Sequence, residues 1–134
     1  MNKNKFQKGF TLIELLVVLA IIGILASILL VNFASTRNKA KDSSIKLEMS
    51  QIRTALEKFY PINNTYAGGC ALTTECGKLK TDISSKGGIL TTQNFSTTQY
   101  CVQYTLNTGG GSWCVDSTGY AGPNTGCATN LDCI

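Results

Sequence analysis

Two groups of residues in this 134-residue chain have types and spacings that could do chemistry. The first is a lone carboxylate, Glu14, in a run of 22 residues from Phe10 to Val31 that carries no other charge. A carboxylate in apolar surroundings is costly and needs a cation as its partner. The second is six cysteines, Cys70, Cys76, Cys101, Cys114, Cys127 and Cys133, all in the C-terminal half. An even count in a small exported domain reads as a disulfide framework. Catalysis lacks its usual parts. There is no histidine, which removes the commonest general base and the commonest metal ligand together. No C-x-x-C pair is present for thiol chemistry or a zinc site, and Gly109-Gly110-Gly111 lacks the following Lys-Ser/Thr of a phosphate loop. The chain is expected not to be an enzyme and to need no cofactor. Asp116, Ser117 and Thr118 could offer oxygen ligands to calcium, or serve only as turn residues.

These residues need elements to position them. As a helix, Phe10 to Val31 would be about 33 Å long, enough to cross a bilayer core. It is apolar all round, so lipid or other helices must surround it. An ordinary secretory signal would be shorter and end in a small-x-small site; here Ala26 is preceded at two positions by Ile24. A plain membrane anchor explains the length but not Glu14. Gly23 and Ser27 have the small-xxx-small spacing that lets helices approach closely. Basic residues flank both ends, with Lys3, Lys5 and Lys8 on one side and Arg37, Lys39 and Lys41 on the other, so the charge bias for orientation is weak. Without residues 1–9, nine basic residues would face eight acidic ones. Such near-neutrality does not indicate a general nucleic-acid surface.

Helical periodicity continues beyond the apolar run. Ile45, Met49, Ile52, Leu56 and Phe59 form one stripe suited to packing on a domain, and Pro61 is expected to end the helix near Tyr60. The remainder, rich in Gly, Thr, Asn and Ser, reads as short strands and turns. Tyr100, Val102, Tyr104 and Leu106 alternate with Cys101, Gln103 and Thr105. Trp113 and Val115 alternate with Cys114. The two runs predict an antiparallel hairpin around the glycine-rich turn at 107–111. A third strand is expected near Ile89 to Phe95, and a short helix within Thr74 to Ile83. The fold class is therefore α+β: a long N-terminal helix packed on a small antiparallel sheet whose C-terminal region is stapled by disulfides. Sequence proximity and the hairpin favour the pairs Cys70–Cys76, Cys101–Cys114 and Cys127–Cys133 among the 15 arrangements that six cysteines allow.

The stretch Lys8-Gly9-Phe10-Thr11-Leu12-Ile13-Glu14-Leu15-Leu16-Val17-Val18-Leu19-Ala20-Ile21-Ile22-Gly23-Ile24-Leu25-Ala26 resembles the class III signal of type IV pilins and type II secretion pseudopilins. The resemblance implies cleavage between Gly9 and Phe10 by a membrane-embedded aspartyl peptidase, which also methylates the new amine of Phe10. It implies that Glu14 is the family's glutamate, meeting the terminal amine of a neighbouring subunit during assembly. Residues 1–9 would be a leader peptide, 10–33 a transmembrane and filament-core helix, 34–60 an amphipathic helix and 61–134 the antiparallel β domain. The segment Gln51 to Tyr66 also resembles the helix end and following loop of small pilins and pseudopilins, and a Cys127–Cys133 loop would resemble their disulfide-bounded C-terminal loop. Many members carry a proline eight residues after Gly23, where this chain has Val31, so no helix breaker of that type is present. The implied function is structural: a homo-oligomeric helical filament, held in the inner membrane as a precursor and then extracellular, built by an assembly platform and its ATPase. A major pseudopilin of a type II secretion system is the alternative. A membrane-anchored adhesin or DNA-binding module that does not polymerise is a further class.

Overall fold

The computed structural model describes residues 9–109, 111–123, 126–127 and 131–133, with backbone only at 30–32. Lys3, Lys5 and Lys8 therefore lie outside the described residues. The elements are α1 (Leu12–Asn63), α2 (Glu75–Ser85), β1 (Ile89–Phe95), β2 (Tyr100–Thr105), β3 (Ser112–Asp116) and β4 (Ala121–Pro123). This is the α+β class expected. The chain forms two compact units that divide between Thr36 and Arg37.

Within the first unit the described residues are helical from Leu12, and the backbone of α1 continues unbroken through Val31. Leu12, Leu16, Ile21, Leu25 and Leu29 are all exposed, as is Phe33. Among the described residues nothing covers this apolar surface, and α1 is long and apolar enough to cross a membrane.

In the second unit the apolar stripe does the packing. Ile45, Met49, Ile52 and Leu56 are fully buried, whereas Phe59 is only half-buried. The four buried residues form one core with Ile83, Tyr100, Val102, Tyr104 and Val115. The sheet is an antiparallel meander in the order β1-β2-β3-β4. Alternation along β2 sends Tyr100, Val102 and Tyr104 into the core and Cys101 and Gln103 to the opposite face.

Three details depart from the sequence reading. First, α1 does not stop at Tyr60: Pro61 lies inside it and the helix runs to Asn63. Proline removes a donor and disfavours the α conformation at the residue before it. Here the last turn is retained because Asn64 N–H donates to the Tyr60 carbonyl at 2.8 Å and the Asn63 side-chain amide donates to the Phe59 carbonyl at 2.9 Å. Asn64, at φ 53° in the left-handed region, ends the helix. Second, the short helix runs two residues past Ile83. Thr74 caps its start, accepting the Gly77 N–H at 3.1 Å, and Gly87 at φ 94° follows its last turn. Third, β4 has no counterpart in the sequence reading. Three residues show no readable alternation, and Pro123 is tolerated because β4 is an edge strand.

Polar side chains of α1 fasten the helix to the turns of the sheet. Asp42, 3% exposed, accepts the Asn107 N–H at 2.8 Å, the Asn107 amide at 2.9 Å, the Thr108 N–H at 2.9 Å and the Thr108 hydroxyl. The Lys46 ammonium lies 4.8 Å from the centroid of the Trp113 ring, a cation–π distance. Arg53 donates to the Gly119 carbonyl at 2.8 Å. Glu57 accepts Tyr66 OH at 3.1 Å and Tyr100 OH at 3.3 Å. Burial, then the Glu57 charge, pushes the Tyr66 phenol up to about 12 and raises that of Tyr100 further.

Burial alone would raise the Asp42 pKa, but the Thr108 and Asn107 donors outweigh it and hold the group below the ordinary value of 3.8. Asp42→Ala leaves those donors without their buried acceptor. It should destabilise the second unit by about 2–3 kcal/mol, read from Trp113 fluorescence during denaturant unfolding. Because the folded-state pKa is depressed, the stabilisation is full above the ordinary aspartate range and is lost as pH falls through the folded value. The denaturation midpoint should therefore drop below about pH 4, and Asp42→Asn should flatten that acid limb.

Candidate functional site

The start of α1 is built by a short local sequence. Thr11 precedes the helix and Glu14 is its third residue, the T-x-x-E pattern of a capping box. Both halves of the motif form. Thr11 N–H donates to Glu14 Oε2 at 2.8 Å, and Glu14 N–H donates to Thr11 Oγ1 at 3.3 Å. The Thr11 hydroxyl also donates to Glu14 Oε2 at 2.7 Å. The carboxylate is thus tied to the first turn, near the positive end of the helix dipole. From its sequence context alone Glu14 is a charge that needs a cation. The Thr-Leu-Ile-Glu spacing was the available signal for its second role.

Around this turn the chain is open. Gly9 and Phe10 are exposed, Phe10 at 82%. A Cβ placed on Gly9 or on Gly23 would meet nothing within 4 Å. Among the described residues no packing requires glycine at either place. The Ser27 hydroxyl donates to the Ile24 carbonyl at 2.7 Å, so its polar group is satisfied within the helix. The surface at Gly23 and Ser27 is therefore small and locally apolar.

The six cysteines all pair, but not as the sequence reading had them. Cys70–Cys76 forms as expected. The expected Cys101–Cys114 and Cys127–Cys133 are replaced by Cys101–Cys127 and Cys114–Cys133, with Cα separations of 5.8 and 5.9 Å. The strand register supplies the reason. Cys101 lies opposite Asp116, and Cys114 opposite Gln103, so the two cysteines are diagonal neighbours on one face of the sheet. The chain returns to that face with Cys127 and Cys133 paired to each other through an antiparallel bridge. Each returning cysteine then bonds to one on the sheet.

Asp116 supports the same region. Its Oδ1 accepts Thr118 N–H at 2.9 Å, Thr118 OH at 2.6 Å and Tyr120 N–H at 3.2 Å, and its Oδ2 accepts Cys133 N–H at 2.8 Å. Burial would raise its pKa, but these donors hold it below the ordinary value of 3.8. The carboxylate shapes the β3–β4 turn and anchors the returning chain. Of the two roles open for Asp116 and Thr118, the observed contacts are those of a turn.

No Lys or Arg follows Lys86, so tryptic digestion leaves both crossed disulfides in one peptide. Cleavage at Tyr104, Tyr120 and Asp132 separates them. Mass spectrometry under non-reducing conditions should then yield Cys101 linked to Cys127 and Cys114 linked to Cys133.

The prokaryotic N-terminal methylation motif matches residues 4–30. The type IV wide pilus major component of Thermus thermophilus is 34% identical over 95 residues, covering 71% of this chain and 70% of that protein. The fimbrial protein of Neisseria meningitidis serogroup A is 37% identical over 94 residues, covering 66% of this chain and 55% of that protein. The type IV major fimbrial protein of Dichelobacter nodosus is 44% identical over 67 residues, 50% of this chain and 42% of that protein. The chain spans 53–58% of the length of the Neisseria proteins that it matches. No solved structure matches significantly.

Proposed function

Because the chain belongs to the type IV pilin family, we propose that it is the structural subunit of a type IV pilus or a closely related filament. It is made as a precursor, cut between Gly9 and Phe10, methylated at Phe10 and assembled through its N-terminal helix. The observation that carries this reading is the methylation motif over residues 4–30. In the proposed organisation residues 1–9 are the leader and 10–33 the membrane and filament-core segment. The helix from 34 onward and the domain from 61 to 134 form the outer part.

The geometry supports each step. An exposed Gly9–Phe10 junction is accessible to a peptidase. Among the described residues nothing packs against Gly9, which leaves the glycine free to serve the enzyme that reads the junction. The cut frees a positive amine at Phe10, four residues before Glu14. A capped Glu14 is held in the first turn, where an amine from a neighbouring subunit neutralises it. Pairing of the two charges inside an apolar bundle then favours one axial register, because any other leaves both uncompensated. The open Gly23 surface lets a second helix approach closely.

The precursor resides in the cytoplasmic membrane and the filament on the cell surface. Its partners are copies of itself, the peptidase-methyltransferase, and an assembly platform with its ATPase. The pilus and fimbrial names of the relatives favour a pilus over the pseudopilin alternative.

Glu14→Leu should still insert and be cleaved, and should yield no filaments in electron micrographs of sheared surface material. Filaments of normal number and length from that variant would sink the role assigned to Glu14. If wild-type surface material contains no filament with Phe10 as its N-terminus by mass spectrometry, the subunit reading fails as a whole.

A further inference from the structure

A group of cations begins where the apolar part of α1 ends. Arg37, Lys39 and Lys41 fall within five residues, and Phe33 is four residues before the first of them. Arg37 and Lys39 are exposed and Lys41 is half-buried. Among the described residues none of the three is in an ion pair. Asp42 is the only acid between Glu14 and Glu48. It is 3% exposed, and both its oxygens are taken by Asn107 and Thr108. Glu48 and Asp82, on α1 and α2, are both met by Lys86. From 34 to 47, therefore, Arg37, Lys39, Lys41 and Lys46 stand against one buried anion.

We propose that Arg37, Lys39 and Lys41 form a collar that binds the headgroups of anionic phospholipids where α1 leaves the bilayer. The proposal rests on the reading of residues 10–33 as the membrane segment. Along an α-helix, residues 37–41 follow Leu12 by about 38–44 Å. A bilayer with its headgroup layers is about 40–45 Å thick. A helix that starts in one headgroup layer thus brings the three cations into the other. Their arrangement suits a plane of headgroups. At about 100° per residue, Lys39 lies on the opposite side of the helix from Arg37 and Lys41. Cations spread round a helix fit a lipid layer that encircles it, whereas the phosphates of a nucleic acid would reach one side. The turn that meets Asp42 does not repel an anionic surface, because Asn107, Thr108 and Gly109 carry no charge.

Long basic side chains can lay their stems along apolar surface and keep the charge among the headgroups. Each such cation strengthens attachment to an anionic surface on the order of five-fold. The collar gives the cations on the C-terminal side of the apolar run a partner while the chain is a membrane-held precursor. That partner is lost when a subunit leaves the lipid for the filament, so anionic lipid favours the precursor.

The test uses the full chain in phosphatidylcholine vesicles with a trace of dansyl-labelled phosphatidylethanolamine, whose headgroup is anionic. Trp113, the only tryptophan, is the energy donor. Its ring lies 4.8 Å from the ammonium of Lys46, five residues beyond Lys41, so it reports on lipid at this end of the apolar run. Replacing part of the phosphatidylcholine by phosphatidylglycerol, at fixed label, should lower the transfer. The combined variant Arg37→Gln, Lys39→Gln, Lys41→Gln should need at least about five-fold more label for the same transfer. Lys58→Gln, an exposed cation further along α1, should behave as wild type. Carbonate extraction comes first: a chain stripped from the vesicles sinks the membrane reading and the collar with it. With the chain inserted, the collar alone is overturned by transfer that phosphatidylglycerol leaves unchanged, that the combined variant retains, or that Lys58→Gln lowers equally. So it is by a duplex oligonucleotide that displaces the label where phosphatidylglycerol does not.

Discussion

Water cannot solvate a helix that is apolar all round, and among the described residues nothing covers the one this chain has. From Leu12 to Leu29 the large apolar side chains stand exposed. Their burial must come from outside the chain, first from lipid and then, in the proposed filament, from other copies of the same helix. The other features at this end follow from that constraint. A charge is tolerable there only if it is met, so Glu14 accepts bonds from Thr11 within its own chain. In the proposed filament it is also the residue that meets a second charge. Among the described residues nothing packs at Gly23 and Ser27 is exposed, so in the proposed filament their small size would serve a neighbouring helix.

The second part of α1 obeys a different rule, because it has a domain of its own to bury against. Its apolar stripe supplies one side of the core. Its polar residues do more than keep the other side wet. Asp42, Lys46, Arg53 and Glu57 each reach a turn, a strand or a tyrosine of the C-terminal domain. Hydrophobic burial is non-directional, so it would allow the sheet to slide along the stripe. The directional contacts, especially the four donors gathered by Asp42, select one position. A sequence reading sees these residues only as one side of an amphipathic helix, since the partners of Asp42 and Arg53 lie 65 and 66 residues away and the Tyr100 partner of Glu57 lies 43 away.

The small sheet has few strands with which to bury a core, so covalent crosslinks supplement it. Closing loops of 26 and 19 residues restricts the unfolded chain by about 3 kcal/mol each in the loop-entropy view. Crossing the two links also ties the returning chain to two adjacent strands at once. Asp116 reinforces the arrangement by serving the β3–β4 turn with one oxygen and Cys133 with the other.

Much of the molecule was legible in the residues themselves, wherever the deciding physics is local. The apolar run, the single carboxylate, the helical stripe and the alternation of β2 and β3 all follow from spacing along the chain. So does the capping box, which a closer reading of Thr-Leu-Ile-Glu could have found. Other features depend on which distant groups meet, and these only the tertiary structure decided. Local spacing placed Cys101 and Cys114 on one face of a hairpin. The register set them diagonal to each other, and the returning chain put a closer bonding partner beside each. Proline marked a helix end that two hydrogen bonds carried three residues further. Sequence patterns record which face a residue occupies. The partner across that face is set by register and by the path of the chain, and neither is encoded within any one segment.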